Sequence, residues 1–235
     1  MAGLEQLHRA LIVSCQAPEG SVLNQTSAMA LMAVAAAAGG ARGVRANGPA
    51  NIAAIKAVIS LPVIGLLKRD VPGSPVYITP TFADARLVAE AGADLVAVDA
   101  TLRTRPDGAT AGDLIRRIRD ELTLPVVADV DGIAAAEMAA RAGADFVATT
   151  LSGYTDGSTQ INTLGPDLSL VRQLVTLIRC PIIAEGRYHQ PQQLKEAFDA
   201  GAYEVVVGEA ITDPVALTRR FVREVPPASR GDLTR

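Results

Sequence analysis

Short apolar runs recur along the chain and alternate with helix-period stretches, and two kinds of residue open them. Three runs open on a proline followed by β-branched residues: "LPVIGLLK" from Leu61, "LPVVADV" from Leu124 and "CPIIAEG" from Cys180. Four others follow a helix-ending glycine: "GGARGVRANG" from Gly39, "AGADLVAVDAT" from Ala91, "AGADFVATTLSG" from Ala142 and "AGAYEVVVGEAI" from Ala200. With "LIVSCQ" (11–16) these give eight strand candidates. Near-continuous apolar runs of this kind suit parallel strands covered on both faces. Helical patterns fill the gaps at roughly 27–39, 50–59, 81–91, 110–121, 132–142, 167–178, 190–200 and 213–223.

The spacing carries a repeat. Gly92, Gly143 and Gly201 lie 51 and 58 residues apart, and Pro62, Pro125 and Pro181 lie 63 and 56 apart. Each interval covers two strand–helix units. Eight alternations in a chain of 235 residues predict an α/β fold, a (β/α)8 TIM barrel in a single domain. A doubly wound open sheet is the alternative, but no Gly-x-Gly-x-x-Gly turn follows the first strand. No linker interrupts the pattern, so one domain is expected over 1–235, with a flexible tail from about 225.

Composition narrows the chemistry. Hydrophobic residues make up 49% of the chain and aromatics only 3%, so the core is built from Ala, Val, Ile and Leu. A net charge of −3 argues against nucleic acid as a partner. The Ala-rich stretch 27–40 is too short to cross a membrane, and the first residues lack a secretory pattern, so no membrane is expected and a cytoplasmic location is. Cys15 and Cys180 are too few for a disulfide framework. With His8 and His189 as the only histidines, no metal site is expected.

Counting along the strands selects one set of polar residues, because side chains alternate between faces. Four residues after the opening proline stand Asp129 and Glu185; on the third strand the same count gives Leu66, and Lys68 lies two further. Seven after the helix-ending glycine stand Asn47, Asp99, Thr150 and Gly208, and five gives Arg45. Gln16 joins them if Ser14 points inward. The strand bodies are apolar and the polar groups gather where strands finish, which is the catalytic rim of a barrel.

This set holds no Ser or Cys nucleophile with a histidine partner. Lys68, Glu185, Asp129 and Asp99 are the proton carriers, and a lysine serves as a base when burial or a nearby cation such as Arg45 lowers its pKa. Proton abstraction beside a carbonyl suits such a site, and a Schiff-base, aldolase-type reaction stays open. Gly186 and Gly208 end the seventh and eighth strands, the usual place for a phosphate, with Arg187 beside them. Ser152 and Tyr154 lie in a long loop, 151–166, that either covers the site or runs over the surface. Asp99 either touches substrate or bonds loop amides, His189 reads as a loop residue, and Arg103 and Arg105 as surface charges or part of a dimer contact.

The motifs "LIVSCQA", "GVRANG", "VIGLLKRD", "YITPT", "VDATLRTRPDG", "TTLSGYTDGS", "AEGR" and "GAYEVVVGEAIT" occur in an order that resembles the N-acetylmannosamine-6-phosphate 2-epimerases. The likeness runs from about residue 11 to residue 222. It implies an isomerase of amino-sugar and sialic-acid catabolism that interconverts N-acetylmannosamine 6-phosphate and N-acetylglucosamine 6-phosphate through a C2 enolate. No cofactor is implied, the partner is the small-molecule sugar phosphate, and a homodimer is expected. Residue by residue, Lys68 and Glu185 match the catalytic pair, and Gln16, Arg45 and Asp129 the sugar site. Gly186, Arg187 and Gly208 match the phosphate end, while Thr150, Ser152 and Tyr154 are added as substrate contacts. Glu209 departs from the family, which usually has a second glycine there, and puts a carboxylate beside the expected phosphate. Rival readings are another phosphate-binding barrel enzyme with a Schiff-base lysine, and a sugar-phosphate sensor without catalysis.

Overall fold

A computed structural model describes residues 7–158 and 165–226. Eight parallel strands close into a ring in chain order: β1 (Ala10–Cys15), β2 (Gly43–Asn47), β3 (Val63–Leu66), β4 (Leu95–Asp99), β5 (Val126–Asp129), β6 (Phe146–Ala148), β7 (Ile182–Glu185) and β8 (Glu204–Val207), with β8 pairing back onto β1. The (β/α)8 barrel expected from the alternation is the fold observed.

The two kinds of strand opening have separate physical causes. Pro62, Pro125 and Pro181 stand just before the ladder, where a missing N–H costs nothing. Their carbonyls accept from Val44, Val96 and Val147 of the neighbouring strand at 2.9–3.1 Å. Gly40, Gly92, Gly143 and Gly201 take φ of +91° to +97° one residue beyond the helix C-cap, a left-handed turn that a side chain would strain. In two of these turns the following aspartate is also used. Asp94 accepts the N–H of Val63 and Asp145 that of Val126, at 2.8 and 2.9 Å, closing the rim opposite the polar one.

Outside the ring run α1 (Thr26–Ala38), α2 (Pro49–Lys56), α3 (Phe82–Glu90), α4 (Ala111–Arg117, continuing as a wider turn to Leu122), α5 (Ile133–Arg141), α6 (Leu168–Leu177), α7 (Pro191–Asp199), α8 (Glu209–Thr212) and α9 (Pro214–Val222). Pro49, Pro191 and Pro214 start helices where their fixed φ fits. Thr81 and Thr110 each share a reciprocal capping box with an aspartate three residues on. None of the helices among the described residues is long and apolar enough to cross a membrane. The tail expected from about 225 lies, from 227 onward, outside the described residues, as do residues 159–164 of the loop after β6.

Two apolar layers result. Ala10, Ile12, Ile64, Leu66, Leu95, Val127, Phe146, Ile183 and Val206 fill the barrel interior, and the other strand faces pack Val, Ala and Ile against the helices. Small side chains let helices approach closely. A Cβ on Gly65 would stand 2.6 Å from the Cβ of Ala93.

Two features differ from the sequence expectation. The short helix α8 precedes the last long helix. After β3 the chain does not simply turn: residues 68–78 fold back as an arm, with Lys68 paired antiparallel to Ile78 and Arg69 donating its N–H to Tyr77.

Candidate active site

Interior register carries the last residues of the strands into one mouth, and Arg45 is the group that ties them together. Its side chain is 1% exposed, and its fork grips Asp129 with Nη2–Oδ2 at 2.5 Å and Nη1–Oδ1 at 3.0 Å. Nη1 also donates to Glu185 Oε2 at 2.7 Å. Thr150 Oγ1 lies 2.7 Å from Asp129 Oδ1 and 3.1 Å from Glu185 Oε2, so its single proton serves one carboxylate at a time. Such an array survives burial only because each charge is paired and bonded. Burial opposes the Arg45 charge, but Asp129 and Glu185 more than restore it, and its pKa lies above the ordinary range.

Glu185 is shifted upward, chiefly by burial, with Asp129 adding to the shift and Arg45, Thr150 and Lys68 opposing it. Lys68 is shifted downward by the protein around it and then by the Arg45 charge, against the pull of Glu185 and Asp129. The open mouth leaves Lys68 exposed to solvent, which moderates the effect without reversing it. Its backbone N–H donates to Asn47 Oδ1 at 2.8 Å, fixing the chain where the arm leaves β3. A base of lowered pKa and an acid of raised pKa therefore share one recess.

That recess consists of two adjoining hollows of about 760 and 530 Å³ that share Ser14, Lys68, Tyr77, Glu185, Gly208 and Glu209. Gln16 lines the first; Thr150, Tyr154, Gly186, Arg187 and His189 line the second. Gln16 donates Nε2 to Ser14 at 2.8 Å, and its Oε1 is buried with no partner among the described residues. Arg45 and Asp129 lie beneath the floor instead of in the wall. A separate hollow of about 470 Å³ is lined by Arg103, Arg116 and Arg141, each already facing a carboxylate.

Several expected roles read differently in the fold. Ser152 does not line the recess; it is buried and donates to Asp167 Oδ2 at 2.7 Å, the residue that caps α6. Arg187 adopts φ +61° and donates to the carbonyls of Ser152 and Gly165 at 2.6 and 2.7 Å, with the exposed Tyr154 ring 5.1 Å from its guanidinium. It thus ties both described ends of the loop after β6 to the end of β7. Asp99 is fully buried, bonded to Thr101 and paired with Arg103 at 2.7 Å. Arg105 is not a surface charge: it is 2% exposed and donates to the carbonyls of Thr79, Pro80 and Asp99. Glu209 is neutralised by Arg220 of α9, which also meets His189 Nδ1 at 2.9 Å.

Sequence reasoning missed Tyr77. It reaches the recess from the arm after β3, and the turn-forming "PGSP" at 72–75 was the signal that a hairpin stood there.

Comparison with known proteins closes on one group. The family described as "Putative N-acetylmannosamine-6-phosphate epimerase" matches residues 29–226. A relative from Caldanaerobacter subterraneus, named "Putative N-acetylmannosamine-6-phosphate 2-epimerase", is 46% identical over 93% of this chain and 92% of its own. A relative of the same name from Thermosynechococcus vestitus is 49% identical over 88% and 89%. The solved N-acetylmannosamine-6-phosphate 2-epimerase from Clostridium perfringens superposes with a TM-score of 0.90 at 40% identity, covering 94% of this chain and 96% of that one.

Proposed function

The chain belongs to the N-acetylmannosamine-6-phosphate epimerase family, and we propose that it interconverts N-acetylmannosamine 6-phosphate and N-acetylglucosamine 6-phosphate by moving the proton at C2. The observation that carries this reading is the pairing of Lys68, lowered in pKa, with Glu185, raised in pKa, across one recess. β3 and β7 stand on opposite sides of the ring. A sugar held between them presents one face of C2 to each.

In this mechanism the open-chain aldehyde makes the C2 hydrogen acidic. Neutral Lys68 takes that proton, and the negative charge develops on the carbonyl oxygen, where the Gln16 amide and the Tyr77 hydroxyl supply hydrogen-bond donors. Protonated Glu185 delivers a proton to the opposite face, leaving an ammonium and a carboxylate that solvent exchange resets. Gly186, Arg187 and Gly208 are assigned the phosphate end. Pairing with Arg220 removes the conflict that Glu209 would otherwise pose there. The reading takes the whole chain as one domain, in the cytoplasm, and as a homodimer. α9 supports the dimer, since it buries none of its residues and leaves Phe221 77% exposed.

Proton NMR of the protein with N-acetylmannosamine 6-phosphate in deuterated water tests the reaction. The epimer should appear while the C2 signal fades. Lys68→Ala should abolish both, and a variant that still exchanges C2 deuterium removes Lys68 from the mechanism.

A further inference from the structure

Glu204 stands in the barrel interior and takes no part in the chemistry described so far. It begins β8, and its register partners are Ala10 of β1 and Ile183 of β7, both interior residues. It is fully buried, and neither carboxyl oxygen has a hydrogen-bond partner among the described residues. An ionised carboxylate in that position would be costly, so the group holds a proton. Burial raises it to about 8, the Glu185 charge acts in the same direction, and the Arg45 charge opposes both.

The interior contains a second orphan. The Nε–H of Arg45 is buried without a partner among the described residues, although both terminal nitrogens are engaged. Arg45 stands beside Ser14 on β1, and Ala10, the neighbour of Glu204, lies two inward positions below Ser14 on the same strand. The charged groups facing Glu204 from above are Arg45 of β2, Asp129 of β5 and Glu185 of β7, with Lys68 at the rim. The interior residues of β3 and β6, and of β4 below Asp99, are apolar, and Asp99 is held by Arg103. At the lower end lie Tyr203 and the His8 ring tilted against it.

We propose that Glu204 is a positioning residue for this site: a proton-bearing carboxyl that offers the Arg45 Nε–H an acceptor through one buried water, and so holds the guanidinium fork against Asp129 and Glu185. The inference rests on the epimerase reading for its kinetic consequence. When the proton leaves Glu204, the new carboxylate competes for Arg45, Glu185 loses its cation, and turnover falls.

The experiment is a set of pH–rate profiles from about pH 6 to about pH 10 for the wild type, Glu204→Gln and Glu204→Leu. Loss of the Lys68 proton gives a rising limb in all three, and loss of the Glu185 proton a falling limb in all three. The wild type should lose further rate through about 8, whereas Glu204→Gln, which keeps the shape but cannot ionise, should lack that ionisation and fall with Glu185 alone. Glu204→Leu, which offers no acceptor, should lose about tenfold in kcat with little change in KM. A falling limb of the same position and steepness in the wild type and in Glu204→Gln overturns the proposal, as does a Glu204→Leu profile identical to that of Glu204→Gln. Equilibrium unfolding gives a readout independent of turnover. A carboxyl whose folded pKa is raised loses stability as pH rises between its unfolded and folded values. The wild type should therefore weaken relative to Glu204→Gln from about 4.5 to about 8, and a constant difference refutes the buried proton. A wild type that carries this unfolding signature but never epimerises overturns the functional reading instead.

Discussion

Replacing Arg45 with leucine would leave Asp129 and Glu185 facing each other in the barrel without their cation. Removing one partner of a buried ion network costs about 3–5 kcal/mol, so Arg45→Leu should lower stability by that order at neutral pH. The loss should shrink at acidic pH, because Glu185, already raised by burial, takes up a proton more readily without the guanidinium. Denaturant unfolding at the two pH values checks both parts. At this scale the sequence was informative about direction and silent about height. Parity placed Lys68, Glu185, Asp129 and Arg45 on one face. It did not reveal that Arg45 and Asp129 lie one tier under the recess, because strand tilt sets the tier. The parity from Gly201 that places Gly208 inward also places Glu204 inward, three residues past the glycine. Ser152 and Arg187 sit in loop geometry that alternation does not govern, and their partners Asp167 and Gly165 could not be counted from any strand.

Among the elements, the arm after β3 has the most to do with the chemistry. Arg69 holds it down by a two-pronged pair with Asp84, Nε–Oδ1 at 3.0 Å and Nη2–Oδ2 at 2.8 Å, while Asp84 also completes the capping box of α3. Lys68 and Tyr77 ride on the arm's two sides, so loosening it moves both walls of the recess. Asp84→Asn should keep most of the cap and lose the arginine pair. It is expected to reduce kcat about tenfold with a small loss of stability. Asp84→Ala removes the cap as well and should cost a further ~1 kcal/mol, measured by unfolding. The arm was only partly legible: the run of Lys68, Arg69 and Asp70 reads as a strand surfacing into a turn, and nothing local in those residues names a helix cap fifteen positions after Arg69 as the anchor. The barrel elements were legible throughout, since proline and glycine mark strand starts for reasons of backbone geometry that tertiary packing does not alter.

On the scale of the whole molecule, the barrel closes on itself but its outer surface is uneven. α9 presents Phe221 and Val222 at 77% and 60% exposure, on a helix with no buried residue. In the dimer reading this face meets a second copy, and Phe221→Glu should shift sedimentation to the monomer mass; a wild type that is already monomeric rejects the reading. The (β/α)8 architecture followed from the repeat, but the dimer face did not, because α9 shows the same amphipathic period as helices that bury their apolar side against strands.

The bridges of Arg45 span 84 residues to Asp129 and 140 to Glu185, so they join the first half of the chain to the second. This bears on the order in which the molecule assembles. A collapsed first half, β1–β4, would hold a guanidinium with no free acid to meet it, since Arg103 takes Asp99; a collapsed second half, β5–β8, would hold Asp129 and Glu185 with no cation. Each half is electrostatically incomplete in its own interior, and the halves complement each other in charge where they meet. Ring closure and charge neutralisation are then one event. A chain arrested before β7 and β8 dock keeps the Asp129 bridge but lacks Glu185, the acid of the proposed reaction and the second counter-charge of Arg45.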